Sequence, residues 1–435
     1  MSNVVQALVA SAAPRLELAA YPAEVSQSPK PAEVPIAEVP IAEVMAERMA
    51  TGGEAVARLD DGRVVFVAGA LAGERVRVAI DSQKKRFAKA HVTEVLRASH
   101  ERRDPPCPHV ISGQCGGCDW QHISPAQQRA YKTGIAREQL ARRGGIAEPN
   151  VRHHADPPGL RTTVRCVVTN DRAGYRQRRS HKGFDAGSCD AAHELLRPLI
   201  IDGRYPGVDE VTLRASAASG ERMAIVSGDR QAAPGVRVPD DVEVIADSDP
   251  GDAAITEEVC GVSFRVSAKS FFQTSPQCAA TLVAAVREML AEAQGPLVDL
   301  YGGVGLLGIA ACGAQLHTIV ESSPAAVLDA RHNLTTLDPD HEVAVVESRV
   351  ERWQPELAYG AVIADPARSG LRAEGVSVIG ATGASELALV SCDAGALGRD
   401  AGLLIADGWT HTESVVVDMF PDTSQLEVAS HFSRH

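Results

Sequence analysis

Leu297-Val298-Asp299-Leu300-Tyr301-Gly302-Gly303-Val304-Gly305-Leu306-Leu307-Gly308 reads as a short apolar strand that runs through a glycine-rich turn into a helix. Glycines at such a junction let the backbone approach a ligand at the carboxyl end of the strand, where the free N–H groups of the helix N-terminus also point. Further apolar runs at residues 316–320, 361–364, 387–390 and 415–417 alternate with helix-length spacers from about residue 276 onward. This alternation implies a parallel, doubly wound α/β sheet. Ligands bind such a sheet beyond its carboxyl edge, so the residues that end each run carry the interest. Glu321 ends the second run, Asp365-Pro366-Ala367-Arg368 follows the third, and Ser391-Cys392-Asp393 follows the fourth.

Gly303, Gly305 and Gly308 spell GxGxxG, and an acid at Glu321 is placed to hold ribose hydroxyls, so a dinucleotide site and an NAD-dependent oxidoreductase stay open. A lone GxGxxG is weak evidence. Asp299, on the first strand a few positions before the glycines, is the arrangement of S-adenosylmethionine enzymes. Cys392 reads either as a small core hydrophobe or as a nucleophile at the crevice.

The chain has 435 residues, 45% hydrophobic and 23% charged, enough for several domains and a buried core without disulfide staples. Gln6, Arg15 and Glu17 interrupt the apolar stretches near the start, no basic leader precedes a clean apolar segment, and no run approaches the ~18 apolar residues of a membrane helix. The expected location is the cytoplasm, without a membrane partner. There the nine cysteines are thiols, metal ligands or a nucleophile rather than disulfides. The net charge of −13 argues against a polyanion partner, but residues 84–182 hold 20 Lys and Arg against eight Asp and Glu. That +12 block is either a polyanion footprint or a solvated basic face.

Residues 1–40 repeat Ala-Glu-Val-Pro with no core-forming period and read as a flexible tail. Next, Gly52-Gly53, the turn Asp60-Asp61-Gly62, Val64-Val65-Phe66-Val67 and alternating Val76-Arg77-Val78 give the texture of a small β-barrel. Cys107, Cys115, Gly116, Gly117 and Cys118 then place three cysteines within twelve residues, two of them flanking a glycine pair that lets the backbone fold around an inorganic centre. Cys189 and Cys166 are the candidates for a fourth ligand. An iron–sulfur cluster, a structural zinc and unrelated buried thiols all match this spacing. Ser124 is placed to cap a helix that ends at Gly144-Gly145.

Together these segments resemble the RNA (uracil-5-)-methyltransferases, in particular the branch with an N-terminal TRAM domain and an iron–sulfur cluster that modifies large-subunit ribosomal RNA. The resemblance spans residues 42–433. It implies a class I methyltransferase (Rossmann-like) sheet, an OB-like TRAM barrel and a central α+β domain. The corresponding division is a tail at 1–40, TRAM at 41–98, a central iron–sulfur and RNA-binding part at 99–270, and an S-adenosylmethionine-dependent part at 271–435. Cys107, Cys115, Cys118 and Cys189 are then the ligands of a 4Fe-4S cluster, with Cys166 structural. Gln273, within Ser270-Phe271-Phe272-Gln273-Thr274, contacts S-adenosylmethionine, and Tyr301, Glu321 and Asp365 lie at the cofactor or active site.

The resemblance also assigns Cys392 as nucleophile and Glu427, in Pro421-Asp422-Thr423-Ser424-Gln425-Leu426-Glu427, as general base. The family's proline and threonine after the nucleophile are absent here, while Arg399 and Asp400 remain; the histidine usual before the base is also missing. A cysteine suits the role because its thiolate adds to uracil carbon 6 near neutral pH and leaves readily. The expected function is methylation of carbon 5 of a uridine in 23S ribosomal RNA. The same chemistry on a transfer-RNA loop uridine is the alternative, and a non-catalytic RNA-binding protein is a remoter one.

Overall fold

In the strand Arg75–Gln83, Val76 and Val78 turn inward and Arg75 outward, the period-two pattern of a sheet with one buried face. This strand belongs to a six-stranded sheet ordered Ile41–Met45, Arg75–Gln83, Phe87–Arg97, Val64–Ala68, Ala55–Arg58, Arg48–Met49. Its two edge strands are consecutive in the chain, separated by Ala46 and Glu47, so the sheet must curl until its edges meet. Between them Ala46 N–H donates to Glu74 O (2.9 Å), directly before the strand paired with the first edge, and Glu47 N–H donates to Val56 O (2.7 Å), on the strand paired with the other. The computed structural model describes residues 40–154, 159–227, 235–337 and 341–434, so the tail read over residues 1–40 lies, apart from Pro40, outside the described residues.

A second six-stranded sheet follows the order Gly183–Asp185, Arg172–Arg176, Thr163–Thr169, Glu210–Ala215, Arg222–Val226, Val242–Ala246. It closes over a separate core of Leu196, Leu199, Ile200, Tyr205, Val211 and Leu213.

The C-terminal sheet has eight strands in the order Ala344–Glu347, Leu316–Glu321, Leu297–Leu300, Ala361–Ala364, Glu386–Ser391, Glu427–Ser433, Thr410–Val417, Val151–His153. The first five are parallel, as the apolar runs imply, and the return strand Glu427–Ser433 is antiparallel. Both faces are covered. Val298, Leu300, Val362, Ala364, Leu387 and Leu389 enter one core, while Leu297, Ile363, Ala388 and Val390 enter the other, which is why these strands read as continuous apolar runs.

Residues 125–153 fall within the 99–270 stretch of sequence yet pack on this C-terminal layer. Helix Pro125–Arg142 starts where Ser124 Oγ accepts the Gln127 N–H (3.2 Å) and a proline fills the first turn. It buries Ile135, Ala136 and Leu140 in the same core as Leu397, Ala401 and Leu404 of helix Ala394–Ala406. Gly398 permits the close crossing, since a Cβ there would lie 2.6 Å from Gln139 O. The strand Val151–His153 then pairs in parallel with Ser414, Val415 and Val416. Among the described residues no helix is long and apolar enough to cross a membrane.

Candidate active site

The order of the parallel strands reverses between Leu297–Leu300 and Ala361–Ala364, so a crevice opens at their carboxyl ends. Leu300 pairs with Val320 on one side and Ala364 on the other, which delivers Tyr301, Glu321 and Asp365 to one edge. Ser391 pairs with Val428 of the returning strand, so Glu427 begins that strand where Cys392 leaves its own. Five residues singled out in the sequence therefore converge from five different strands.

The glycine turn is built for close approach. Tyr301 (φ +59°), Gly303 (φ +55°) and Gly305 (φ +87°) are left-handed, and for Tyr301 this conformation is a strain of the kind that gathers at binding sites. Glu321 faces the turn. Its Oε2 accepts the Gly303 N–H (3.0 Å), and its Oε1 accepts the N–H groups of Ser322 and Ser323 (both 2.6 Å). Tyr301 donates its hydroxyl to Glu351 (3.3 Å), and burial raises its proton affinity. Asp299 is enclosed beneath the turn, with Oδ2 accepting the Gly308 N–H (2.9 Å). It staples the turn to its strand, and burial pushes its carboxyl up to about 7.

Cys392, Glu427 and Asp365 form one electrostatic group. Glu427 is 5% exposed, and burial, then the Asp365 charge, hold its carboxyl well above the ordinary range. Asp365 is partly buried, and burial pushes its carboxyl up to about 7. The half-buried Cys392 thiol is pushed up to about 11 by burial first, then by Glu427 and Asp365. The exposed Arg368 guanidinium opposes these effects at both Cys392 and Glu427. Two carboxyls of raised proton affinity beside a thiol can accept and return protons near neutral pH. Arg368 carries only a weak signal in the sequence, a cation three residues after a strand-end acid.

The surrounding loops are tied down by charge. Asp393 Oδ1 caps helix Ala394–Ala406 through the Ala396 N–H (2.7 Å), a local start that needs no proline at position 394. Asp400 is buried and accepts the N–H groups of Leu371 (2.8 Å) and Arg372 (3.2 Å), while Arg399 donates to Ser369 O (2.6 Å). Arg399 and Asp400 thus hold the loop after Arg368. Gln273 is 7% exposed and sits on an arm braced by Arg214, which donates to Ser267 O and Ser270 O (both 2.8 Å). Helix Pro324–Asn333 ties that arm to the glycine turn: Asp329 accepts from Ser270 Oγ (2.5 Å), and Asn333 donates to Val304 O (3.0 Å).

The cysteines gather at the edge of the second sheet. Cys107 precedes the short helix Pro108–Ile111, Cys115 bridges to Gln177, and Gly117 donates its N–H to Cys115 Sγ (3.4 Å). Burial raises the Cys115 thiol, with Cys189 and Cys107 adding to the effect. Burial pushes Cys118 up to about 12, opposed by Arg161 and reinforced by Cys189 and Cys115. The four thiols are therefore neighbours from two stretches of chain, the 107–118 loop and Cys189, and as a donor set they suit a thiolate-ligated centre. They stand as separate thiols, however: among the described residues no three His, Cys, Asp or Glu side chains are arranged to hold a metal ion. Cys166 is fully buried beside Cys189, and burial pushes it up to about 12.

Residues 42–93 match the TRAM domain family. An RNA methyltransferase of Streptomyces avermitilis is 34% identical over 87% of this chain and 95% of the relative. The 23S rRNA (uracil(1939)-C(5))-methyltransferase RlmD of Chromohalobacter salexigens is 32% identical over 88% of this chain and 87% of its own length. Among solved structures, the Pyrococcus abyssi tRNA (uracil-54, C5)-methyltransferase in complex with S-adenosyl-L-homocysteine shares the fold, with a TM-score of 0.69 at 21% identity over 90% of this chain and 99% of that one. The extent of these matches and the site at the sheet edge set aside the oxidoreductase reading of GxGxxG: the chain belongs to the TRAM-domain RNA (uracil-5-)-methyltransferase family.

Proposed function

We propose that this enzyme uses S-adenosylmethionine to methylate carbon 5 of a uridine in 23S ribosomal RNA, with Cys392 as nucleophile and Glu427 as base. The observation that carries the reading is the meeting of one thiol and two carboxyls of raised proton affinity beside the glycine turn. Cys392 gives its proton to a neighbouring carboxylate or to solvent as sulfur bonds to carbon 6, and the ring π pair moves toward the carbon 4 oxygen. Carbon 5 of this enolate attacks the methyl group, and the sulfonium leaves as neutral S-adenosylhomocysteine. Glu427 removes the carbon 5 proton, the carbon 5–carbon 6 double bond re-forms and the thiolate departs. Glu321, oriented by three backbone amides, is positioned to receive ribose hydroxyls. Gln273, Tyr301 and Asp365 complete the lining.

A stacked uridine cannot offer carbon 6 to a thiol, so the target is unstacked or flipped into the crevice. The basic block at residues 84–182 and the TRAM barrel supply affinity for the backbone phosphates. The relatives named for 23S ribosomal RNA favour that substrate over transfer RNA. Incubation with labelled S-adenosylmethionine and either protein-free 23S ribosomal RNA or unmodified transfer RNA tests it. Label is expected in the ribosomal RNA; label in transfer RNA alone overturns the substrate while leaving the chemistry.

The same reading has Cys107, Cys115, Cys118 and Cys189 hold a 4Fe-4S cluster. Bound there, the cluster would supply a rigid cross-link between the 107–118 loop and Cys189; the reaction moves no net electron and needs none from it. Protein purified without oxygen should contain iron and sulfide and absorb broadly near ~400 nm. Cys189→Ser should lose both, and Cys166→Ser should keep them. Zinc without sulfide in the parent overturns the assignment.

A further inference from the structure

The base is borne on a strand whose entry is clamped from outside the sheet. Residues 418–426 connect the strands Thr410–Val417 and Glu427–Ser433. Lys132, wholly buried in helix Pro125–Arg142, donates to Asp418 Oδ1 (2.6 Å) and to Phe420 O (2.9 Å). One helical turn earlier, Gln128 is 1% exposed; its Nε2 donates to Asp422 Oδ1 (2.9 Å), and its Oε1 accepts the Asp422 N–H (2.8 Å). These positions lie four apart and so share a helix face. Asp422 is left-handed (φ +62°), a conformation an aspartate keeps only when its surroundings hold it. Its carbonyl accepts the Trp120 N–H (2.9 Å), and Arg103 pairs with its carboxylate. The next residue but one, Ser424, donates its N–H to Asp119 Oδ1 (2.9 Å).

A buried lysine is expensive to desolvate, and a hydrophobic pair of similar volume is often at least as stable. What the polar clamp adds is direction: it fixes Asp418, Phe420 and Asp422, nine, seven and five residues before Glu427. We infer that Lys132 and Gln128 are positioning residues for the proton-abstraction step, holding the 418–422 connection so that Glu427 enters its strand aimed at the carbon 5 proton. This rests on the assignment of Glu427 as base. Because Asp119 and Trp120 directly follow Cys118, the same contacts link the cysteine loop to the base.

The test separates methyl transfer from product release. Lys132→Met and Gln128→Met are made in the full chain, and single turnovers are run on natural RNA with labelled S-adenosylmethionine. One reading is total label joined to RNA; the other is the lifetime of the protein–RNA adduct on denaturing gels. Methyl transfer is expected to stay within about three-fold of the parent, while the methylated adduct persists about ten-fold longer, the signature of a displaced base. Unchanged release, or both steps slowed together in step with a lower melting temperature, overturns the inference. Should Lys132→Met fail to fold because Asp418 is left unpaired, the uncharged Gln128→Met and the double variant Lys132→Met/Asp418→Asn decide it. Glu427→Gln is run in parallel. If that variant accumulates adduct and the clamp variants do not, positioning alone fails; if it does not accumulate adduct, the assignment of the base falls and positioning falls with it.

Discussion

Cys392→Ala is expected to lower turnover by at least about 10⁴-fold while leaving S-adenosylmethionine binding intact. Without sulfur addition, carbon 5 of uracil lacks the electron density to attack a methyl sulfonium. The side chain is half-buried beside Glu427 and Asp365, so shortening it leaves the glycine turn and its contacts to Glu321 untouched. RNA carrying 5-fluorouridine at the target gives the direct readout. The parent should form a covalent complex that survives denaturation, because fluorine cannot depart as a cation and the final elimination is blocked. The variant should form none. Trapping by Cys392→Ala, or turnover within ten-fold of the parent, would end the proposal.

The thiol and the glycine turn were legible because each sits at the end of a short apolar run, and in a doubly wound sheet all such ends meet at one edge. Glu321 and Asp365 share that legibility. Local signals also sufficed for Ser124, a cap followed by proline, and for the alternating strands of the barrel. Contacts between distant segments were not legible. Lys132 and Asp418 are 286 residues apart and Gln128 and Asp422 are 294 apart, so no spacing rule joins them. In sequence Lys132 is one more cation in the basic block; in the structure it is fully buried and unavailable to RNA. The strand Val151–His153 was hidden for a related reason: three residues carry too little period to announce a strand, and its partner lies far downstream. Asp299 was read for its place before the glycines, whereas its bond to Gly308 shows that it braces the turn from below.

Glu427→Gln should leave addition and methyl transfer running and stall the enzyme afterwards. Glutamine keeps the size and one acceptor oxygen of a side chain that is 5% exposed, but it cannot take the carbon 5 proton. Product release is expected to slow by about 10²–10⁴-fold, with the methylated adduct accumulating on natural uridine. Misfolding predicts the opposite of what burial predicts here. Glu427 is buried beside Asp365 and resists ionisation, so a neutral amide should hold or raise the melting temperature. The pH dependence has a definite sign. Burial and the Asp365 charge raise the proton affinity of Glu427, so its proton-accepting form gains ground only as pH rises. Release by the parent should accelerate with increasing pH above the usual carboxylate range, and in Glu427→Gln that rise should vanish. Asp365 is the competing base, since it lies in the same group and burial pushes it up to about 7. If Asp365→Asn stalls release while Glu427→Gln turns over at the parental rate, proton abstraction belongs to Asp365, and Glu427 acts only to raise the proton affinity of its neighbours.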